Sequence, residues 1–323
     1  MKAFLLAAGR GERFRPVTER LPKALLPFLN VPLARSHLSR LASQGIREAG
    51  VNLHHLGDEI QRDLRDRTVE LPKLEFFRED PILGTAGALK NAAAWLGCED
   101  FLVVNCDAAI DFDLARLRQA HAASGRGATL LTVENRAPDR YTPLQAEGDI
   151  ITGFGGESAR PLLYTGVCIL SPRLLPGIPE GEASLVGAVW GPMLARGEKI
   201  GYMLHEGPFA DLGRPGDFLR ASLEALSCGG PFPAGAGVFE QESRVLSQIP
   251  ISDFAARSSV LGLAAIGSGT QIIESAVFKG VEIGQDASIQ RCLVAGGRVA
   301  AGAYYKDSLL WPGPDGVSRP LQL

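Results

Sequence analysis

The chain has 323 residues, 46% apolar and 21% charged, so it is long enough for two domains with buried cores and too apolar to be disordered. Its 33 Lys and Arg against 36 Asp and Glu leave a formal charge of -3, which excludes a partner held by bulk charge, whether nucleic acid or an anionic membrane. The 38 Gly and 21 Pro exceed ordinary usage but fall short of a collagen-like or low-complexity chain.

Up to residue 226 short apolar runs alternate with helical periodicity, the pattern of an α/β sheet with parallel strands. Ala3–Ala7 reads as a buried strand, and Leu33–Ile46, apolar at 33, 34, 38, 41, 42 and 46, reads as a helix. Strands are expected at Val51–Leu53, Leu74–Phe77 and Phe101–Val104, with helices at Gly87–Leu96 and Leu114–Ala123. Strands at Thr129–Val133, Leu162–Leu170 and Lys199–Leu204 then precede a closing helix at Pro215–Leu226. The run Cys228 to Gly237 is dense in Gly and Pro, which neither a helix nor a central strand tolerates, so it marks a boundary.

Beyond that boundary Val260, Ile266, Ile272 and Phe278 recur every six residues, and after one slip so do Ile283, Ile289 and Ala295. With Gly267, Gly269 and Gly284 at turn-like positions, this is the mark of a hexapeptide parallel β-helix. The expected domains are therefore 1–227, a Gly/Pro-rich linker over 228–255, and a β-helix over 256–323. The five cysteines, Cys98, Cys106, Cys168, Cys228 and Cys292, form no CxxC pair and have no His at metal spacing, which points to a reducing cytoplasm. No apolar run reaches the ~18 residues of a membrane span. Met1–Ala8 leads into Gly9-Arg10-Gly11 without a small-residue cleavage site, so it is read as mature protein.

The most informative stretch follows the first strand: Gly9-Arg10-Gly11-Glu12-Arg13, Pro16, Thr18, then Pro22-Lys23-Ala24-Leu25-Leu26-Pro27. Glycines directly after a strand let backbone N–H groups approach a phosphate chain, and Arg13 and Lys23 add charge. The spacing is neither the dinucleotide fingerprint nor the P-loop, because Phe14 and the distant Lys23 fit neither.

The string GxGxRxxPxTxxxPKxLLP resembles the signature of the sugar-1-phosphate nucleotidyltransferases. Later segments follow in the same order: Glu79-Asp80-Pro81-Ile82-Leu83-Gly84-Thr85 is similar to that family's base-recognition loop, and Asn105-Cys106-Asp107 to its Asn-Gly-Asp strand end. Tyr164-Thr165-Gly166-Val167 matches the Thr-Gly segment beside the sugar, and Phe209 to Pro215 the segment with the second acidic residue. The resemblance implies a Rossmann-like α/β domain with a mixed, mainly parallel sheet, followed by a short left-handed β-helix. It also implies transfer of a nucleotidyl group from an NTP to a sugar-1-phosphate with release of pyrophosphate.

By that resemblance Asp107 and Asp211 hold Mg²⁺, Arg13 contacts the leaving phosphates, and Lys23 neutralises charge at the α-phosphate. Leu6, Ala7, Ala8, Gly9, Gly11, Glu79, Gly84 and Thr85 line the nucleotide, and Glu157, Arg160, Thr165 and Gly166 the sugar phosphate. GTP with mannose-1-phosphate is the favoured pair, since a carboxylate at Glu79 accepts from two donors of guanine and only one of uracil. A uridylyltransferase for an amino-sugar or muramate phosphate, and a weakly catalytic nucleotide-sugar-binding subunit, are the alternatives. Two departures from the family pattern stand out: Cys106 occupies the usual Gly, and Arg160 before Pro161 stands where the family has Lys. Asp111 reads as a helix-start acid and His54-His55 as loop histidines. An acyltransferase role for the β-helix is disfavoured because the last His is His205, so the β-helix is expected to mediate homo-oligomers.

Overall fold

The computed structural model describes residues 1–66, 70–157, 161–227, 238–240, 243–247 and 253–323. The chain folds into two compact units, one of Met1–Arg10 with His37–Phe209, the other of Gly11–Ser36 with Ala210–Leu323. This is not the linear division expected from composition. The expected boundary run, Cys228 to Gly237, lies outside the described residues.

In the first unit, nine strands among the described residues form one sheet. They are β1 (Ala3–Leu6), β2 (Glu48–Leu53), β3 (Lys73–Arg78), β4 (Phe101–Asn105), β5 (Ala128–Glu134), β6 (Leu144–Glu147), β7 (Ile150–Phe154), β8 (Leu162–Leu170) and β9 (Ile200–Leu204). Their order is β3-β2-β1-β4-β8-β5-β9-β7-β6. The β3-β2-β1-β4 half is parallel throughout. Beyond β4 the pairing turns antiparallel except between β5 and β9, so the sheet is mixed rather than mainly parallel.

The central position of β1 and β4 follows from their composition, since apolar side chains on both faces must be covered on both sides. Phe4, Leu5, Leu102 and Val103 are all fully buried. At one edge β3 alternates Lys73, Glu75 and Phe77, and charge on an edge strand discourages pairing with another chain. One core contains Phe4, Leu89, Phe101, Val103, Leu130 and Trp190. The helix Leu114–Ser124 is bounded by Asp113, whose carboxylate accepts from the Arg116 N–H at 3.0 Å, and by Gly125 at φ 60°.

The C-terminal part of the second unit is built from parallel ladders. One joins Ala255–Arg257, Gln271–Ile273, Ser288–Gln290 and Tyr304–Lys306. A second runs from Val260–Leu261 through Ala276–Val277 and Leu293–Val294 to Leu309–Leu310. A third joins Ala265–Ile266, Glu282–Ile283 and Arg298–Val299. The six-residue apolar recurrence is buried throughout, from Val260, Ile266, Ile272 and Phe278 to Ile283, Ile289 and Ala295. Antiparallel Ser318–Gln322 closes one end against Ser308–Pro312.

The signature segment belongs to this second unit for an identifiable reason. Phe218, fully buried on the helix Pro215–Ser227, makes edge contacts with Phe14, Phe28 and Phe278 at centroid distances of 5.8, 5.7 and 5.8 Å. The Asn30 amide also donates to the Leu261 carbonyl at 2.8 Å. Aromatic edge contacts add to area burial, so these rings bind the segment to the strands. Among the described residues no helix is long and apolar enough to cross a membrane.

Candidate active site

In an open parallel sheet, ligands bind outside the carboxyl ends of the strands where the strand order reverses. Here β2 and β3 lie on one side of β1 and β4 lies on the other, so the reversal falls between Leu6 and Asn105. The Cys106 N–H donates to the Leu6 carbonyl at 3.1 Å and ties the two strand ends together. Three expected site segments meet in this part of the first unit: Leu6 to Gly9, Asn105 to Asp107, and the loop after β3.

The loop after β1 is held by a residue not anticipated from the sequence. Asn52, 3% exposed near the end of β2, accepts through Oδ1 from the Ala7 and Ala8 N–H groups at 2.7 and 3.3 Å. Its Nδ2 donates to Glu79 Oε1 at 2.8 Å, and Glu79 Oε2 accepts from the Leu83 N–H at 2.8 Å. This corrects the expected role of Glu79. At 4% exposed, with both oxygens engaged, its carboxylate is a bracing group rather than an open acceptor for a base. The Ala7 and Ala8 N–H groups likewise face Asn52 rather than a phosphate, whereas no atom lies within 4 Å of the side-chain direction at Gly9. His54 joins the same brace, its Nδ1 3.0 Å from the Glu79 carbonyl.

Gly84, at φ 70°, has no room for a side chain, since an added Cβ would lie 2.7 Å from the Ala183 carbonyl oxygen. That carbonyl accepts from the Ala86 and Gly87 N–H groups at 2.8 and 3.2 Å. The Thr85 hydroxyl oxygen accepts from the Leu185 N–H at 2.8 Å, so Thr85 fastens the loop to the segment at 183–185.

At the end of β4, Cys106, which stands in place of the family's Gly, is 4% exposed and buried with the apolar core. Gly166 sits at φ 87°, where an added Cβ would lie 2.8 Å from Asn105 Cβ. Gly166→Ala is therefore expected to cost about 1–3 kcal/mol in chemical denaturation and to lower turnover by displacing Asn105 beside Asp107. Thr165, 2% exposed, spends its hydroxyl proton on the Leu131 carbonyl at 2.8 Å. Glu157 is exposed beyond β7, and Arg160 lies outside the described residues.

His37 was also missed by sequence reasoning. It is buried against the backbone of Ala108 and Cys106, and burial, helped by Arg40, pushes its imidazole down to about 4 against the pull of Asp107. The native state thus holds it neutral, while the unfolded chain protonates it below 6.5. Its contribution is complete above pH 6.5 and is lost as pH falls toward 4, in total about 3 kcal/mol. Urea denaturation of metal-free protein in chelator is expected to show this acid limb, flattened in His37→Gln. Asp111, expected as a helix-start acid, instead lies ahead of the helix that Asp113 caps and pairs with Arg40.

In the second unit Gly11, at φ 63°, turns the chain so that its carbonyl accepts from the Phe14 N–H and the Thr18 hydroxyl at 2.9 and 2.8 Å. Lys23 starts a short 3₁₀ turn beside it, its Cβ 3.2 Å from where a Gly11 side chain would begin. Arg13 and Asp211 come together although nearly two hundred residues separate them. A Cβ at Gly213 would lie 2.6 Å from Arg13 Nη2 and 2.9 Å from Asp211 Oδ1, which accepts from the Gly213 N–H at 2.9 Å. Among the described residues no three His, Cys, Asp or Glu side chains cluster as a ready-made metal cage. Mg²⁺ needs none, because it takes one or two carboxylates with phosphate and water oxygens. The oxygens at the end of β4, Asp107 and the buried, unpartnered Asn105 Oδ1, are of the hard class that suits it.

Residues 2–157 match the family model for nucleotidyl transferases. The N-acetylmuramate alpha-1-phosphate uridylyltransferase of Neisseria meningitidis is 34% identical over 219 residues, covering 66% of this chain and 93% of that protein. The chain belongs to the nucleotidyl transferase family. This nucleotidyltransferase is also 28% identical over 298 residues to the mannose-1-phosphate guanylyltransferase of Mycobacterium tuberculosis, covering 90% of the chain and 83% of that protein. In fold it resembles HddC from Yersinia pseudotuberculosis, solved with GMP-PN, with a TM-score of 0.60 at 22% identity over 69% of this chain and 98% of that one.

Proposed function

We propose that this nucleotidyltransferase uses a sugar-1-phosphate as acceptor and that its preferred pair is GTP and mannose-1-phosphate. The observation that carries the choice is the extent of the mycobacterial guanylyltransferase match, which spans 90% of the chain where the neisserial match spans 66%. A sugar-phosphate oxygen attacks the α-phosphorus, the bond to the β-phosphate oxygen breaks, and pyrophosphate leaves with that electron pair. Such a displacement needs positioning and charge neutralisation more than covalent help. Arg13 is assigned to the leaving phosphates and Lys23 to the α-phosphate, both on the strength of the signature string. Asp107 and Asp211 are assigned to Mg²⁺, which when bound supplies positive charge to the triphosphate oxygens.

The higher identity of the neisserial relative favours a second reading, UTP with a muramate or amino-sugar phosphate. With the Glu79 carboxylate closed off, the argument for guanine from that residue lapses, and the pair must be chosen by measurement. Pyrophosphate release from a matrix of NTPs and sugar-1-phosphates is expected to give the highest kcat/KM for GTP with mannose-1-phosphate. Highest kcat/KM for UTP with an amino-sugar phosphate selects the second reading, and nucleotide binding without release across the matrix selects a binding subunit. The reading extends to a left-handed hexapeptide β-helix over 256–323 that joins copies of the chain, supported by the three parallel ladders. It extends also to a reducing cytoplasm, supported by the thiols of Cys98, Cys106, Cys168 and Cys292, none of which is in a disulfide.

A further inference from the structure

The hydrogen bonds through Asn52 and Glu79 run in one direction. Two backbone donors, Ala7 and Ala8, face Asn52 Oδ1, so the other end of that amide must donate. It does so to Glu79 Oε1, while Glu79 Oε2 receives the Leu83 N–H. A carboxylate only accepts, so its place between two donors fixes which way the Asn52 amide points. Both side chains are nearly sealed from water, at 3% and 4% exposed, and a reversed amide would leave buried donors facing donors.

We infer that Asn52 and Glu79 are a pair of positioning residues for the nucleotide half of the site. They orient the peptide planes at Ala7 and Ala8 and thereby aim the open backbone at Gly9 toward the NTP. The same pair couples that loop to the second nucleotide segment. Leu83, held by Glu79, accepts from the Ala183 N–H through its carbonyl at 2.9 Å and immediately precedes Gly84. Neither side chain touches the nucleotide; each acts through backbone. This inference rests on the reading of the site as an NTP site.

In Glu79→Gln the new amide satisfies Leu83 with its oxygen but turns its NH₂ toward the Asn52 NH₂, forcing a flip that presents donors to Ala7 and Ala8. In Asn52→Asp two carboxylates face each other. In the double variant every bond returns with reversed internal polarity. The Leu83 N–H donates to the oxygen of the new amide at position 79, and that amide's NH₂ donates to one oxygen of the new carboxylate at position 52. The other carboxylate oxygen accepts from the Ala7 and Ala8 N–H groups.

Each single variant is expected to raise KM for the NTP by about tenfold or more, the value of one buried hydrogen bond, with KM for the sugar phosphate changed less than about twofold. The double variant N52D/E79Q is expected to recover KM for the NTP to within about threefold of wild type and to recover Tm. Calorimetric titration of GTP and UTP into the wild type comes first, because failure of both to bind refutes the nucleotide reading itself. With wild-type binding in hand, single variants that keep their KM for the NTP overturn the pair. A double variant that stays as impaired as the worse single variant, or does not fold, overturns it as well.

Discussion

Asp107→Asn is expected to lower kcat by about a thousandfold while leaving Tm within a few degrees of wild type, as read by steady-state pyrophosphate release and thermal denaturation. The exchange keeps the shape of the side chain at the carboxyl end of β4 and removes only its charge. The loss therefore falls on the reaction, where a triphosphate and a sugar phosphate bring several negative charges together. Asp211→Asn is expected to act in the same direction. Asp111→Asn serves as the contrast: its carboxylate pairs with Arg40, and turnover should change less than about threefold. A kcat for Asp107→Asn within about tenfold of wild type would remove this residue from the machinery.

The second large effect is on stability. Phe218→Ala is expected to cost about 3–5 kcal/mol in urea denaturation, because a fully buried ring is lost from the centre of three others. Phe14 directly follows Arg13, so the cavity loosens the turn that carries this cation. The variant is therefore expected to show lowered kcat even at temperatures where it remains folded. A cost below about 1 kcal/mol would show that the signature segment is held by something other than this ring cluster.

The parts of the fold legible in the sequence were those governed by one strong local signal. The apolar runs at Ala3–Leu6 and Phe101–Asn105 are strands because nothing else buries both faces of so short a run, and the glycines after β1 mark the loop that ends it. The six-residue recurrence from Val260 to Phe278 was legible for the same reason, each apolar side chain being buried in a repeated position. The hairpin of β6 and β7 was missed, since Leu144–Glu147 and Ile150–Phe154 are short and half exposed, with too few alternations to stand out. Strand direction was misjudged beyond β4 because pairing is decided by partners far apart in sequence.

The acidic and basic candidates stand out in the sequence as motifs, but the groups that brace the loops around them do not. A polar Asn52 inside the run Glu48–Leu53, otherwise apolar toward its end, was the available signal, since a buried amide must find partners. Those partners, Ala7, Ala8 and Glu79, lie 45, 44 and 27 residues away, and no spacing rule connects them. Glu79 stands out in the sequence for its charge, and only its burial shows that the charge is turned inward. The junction of the signature segment with the C-terminal strands was equally hidden, because Phe14, Phe28, Phe218 and Phe278 read singly as ordinary core residues.

We propose that the loops at the ends of β1 and β4 serve nucleotidyl transfer from an NTP to a sugar-1-phosphate. Phosphorus NMR of the wild-type protein with Mg²⁺, GTP and mannose-1-phosphate tests it directly. Pyrophosphate and a nucleoside-diphosphate sugar are predicted to rise in equal amounts, about a thousandfold more slowly when Asp107→Asn replaces the wild type. GTP consumed to GDP and phosphate without a sugar product, or no turnover with any NTP and sugar-1-phosphate, would contradict it.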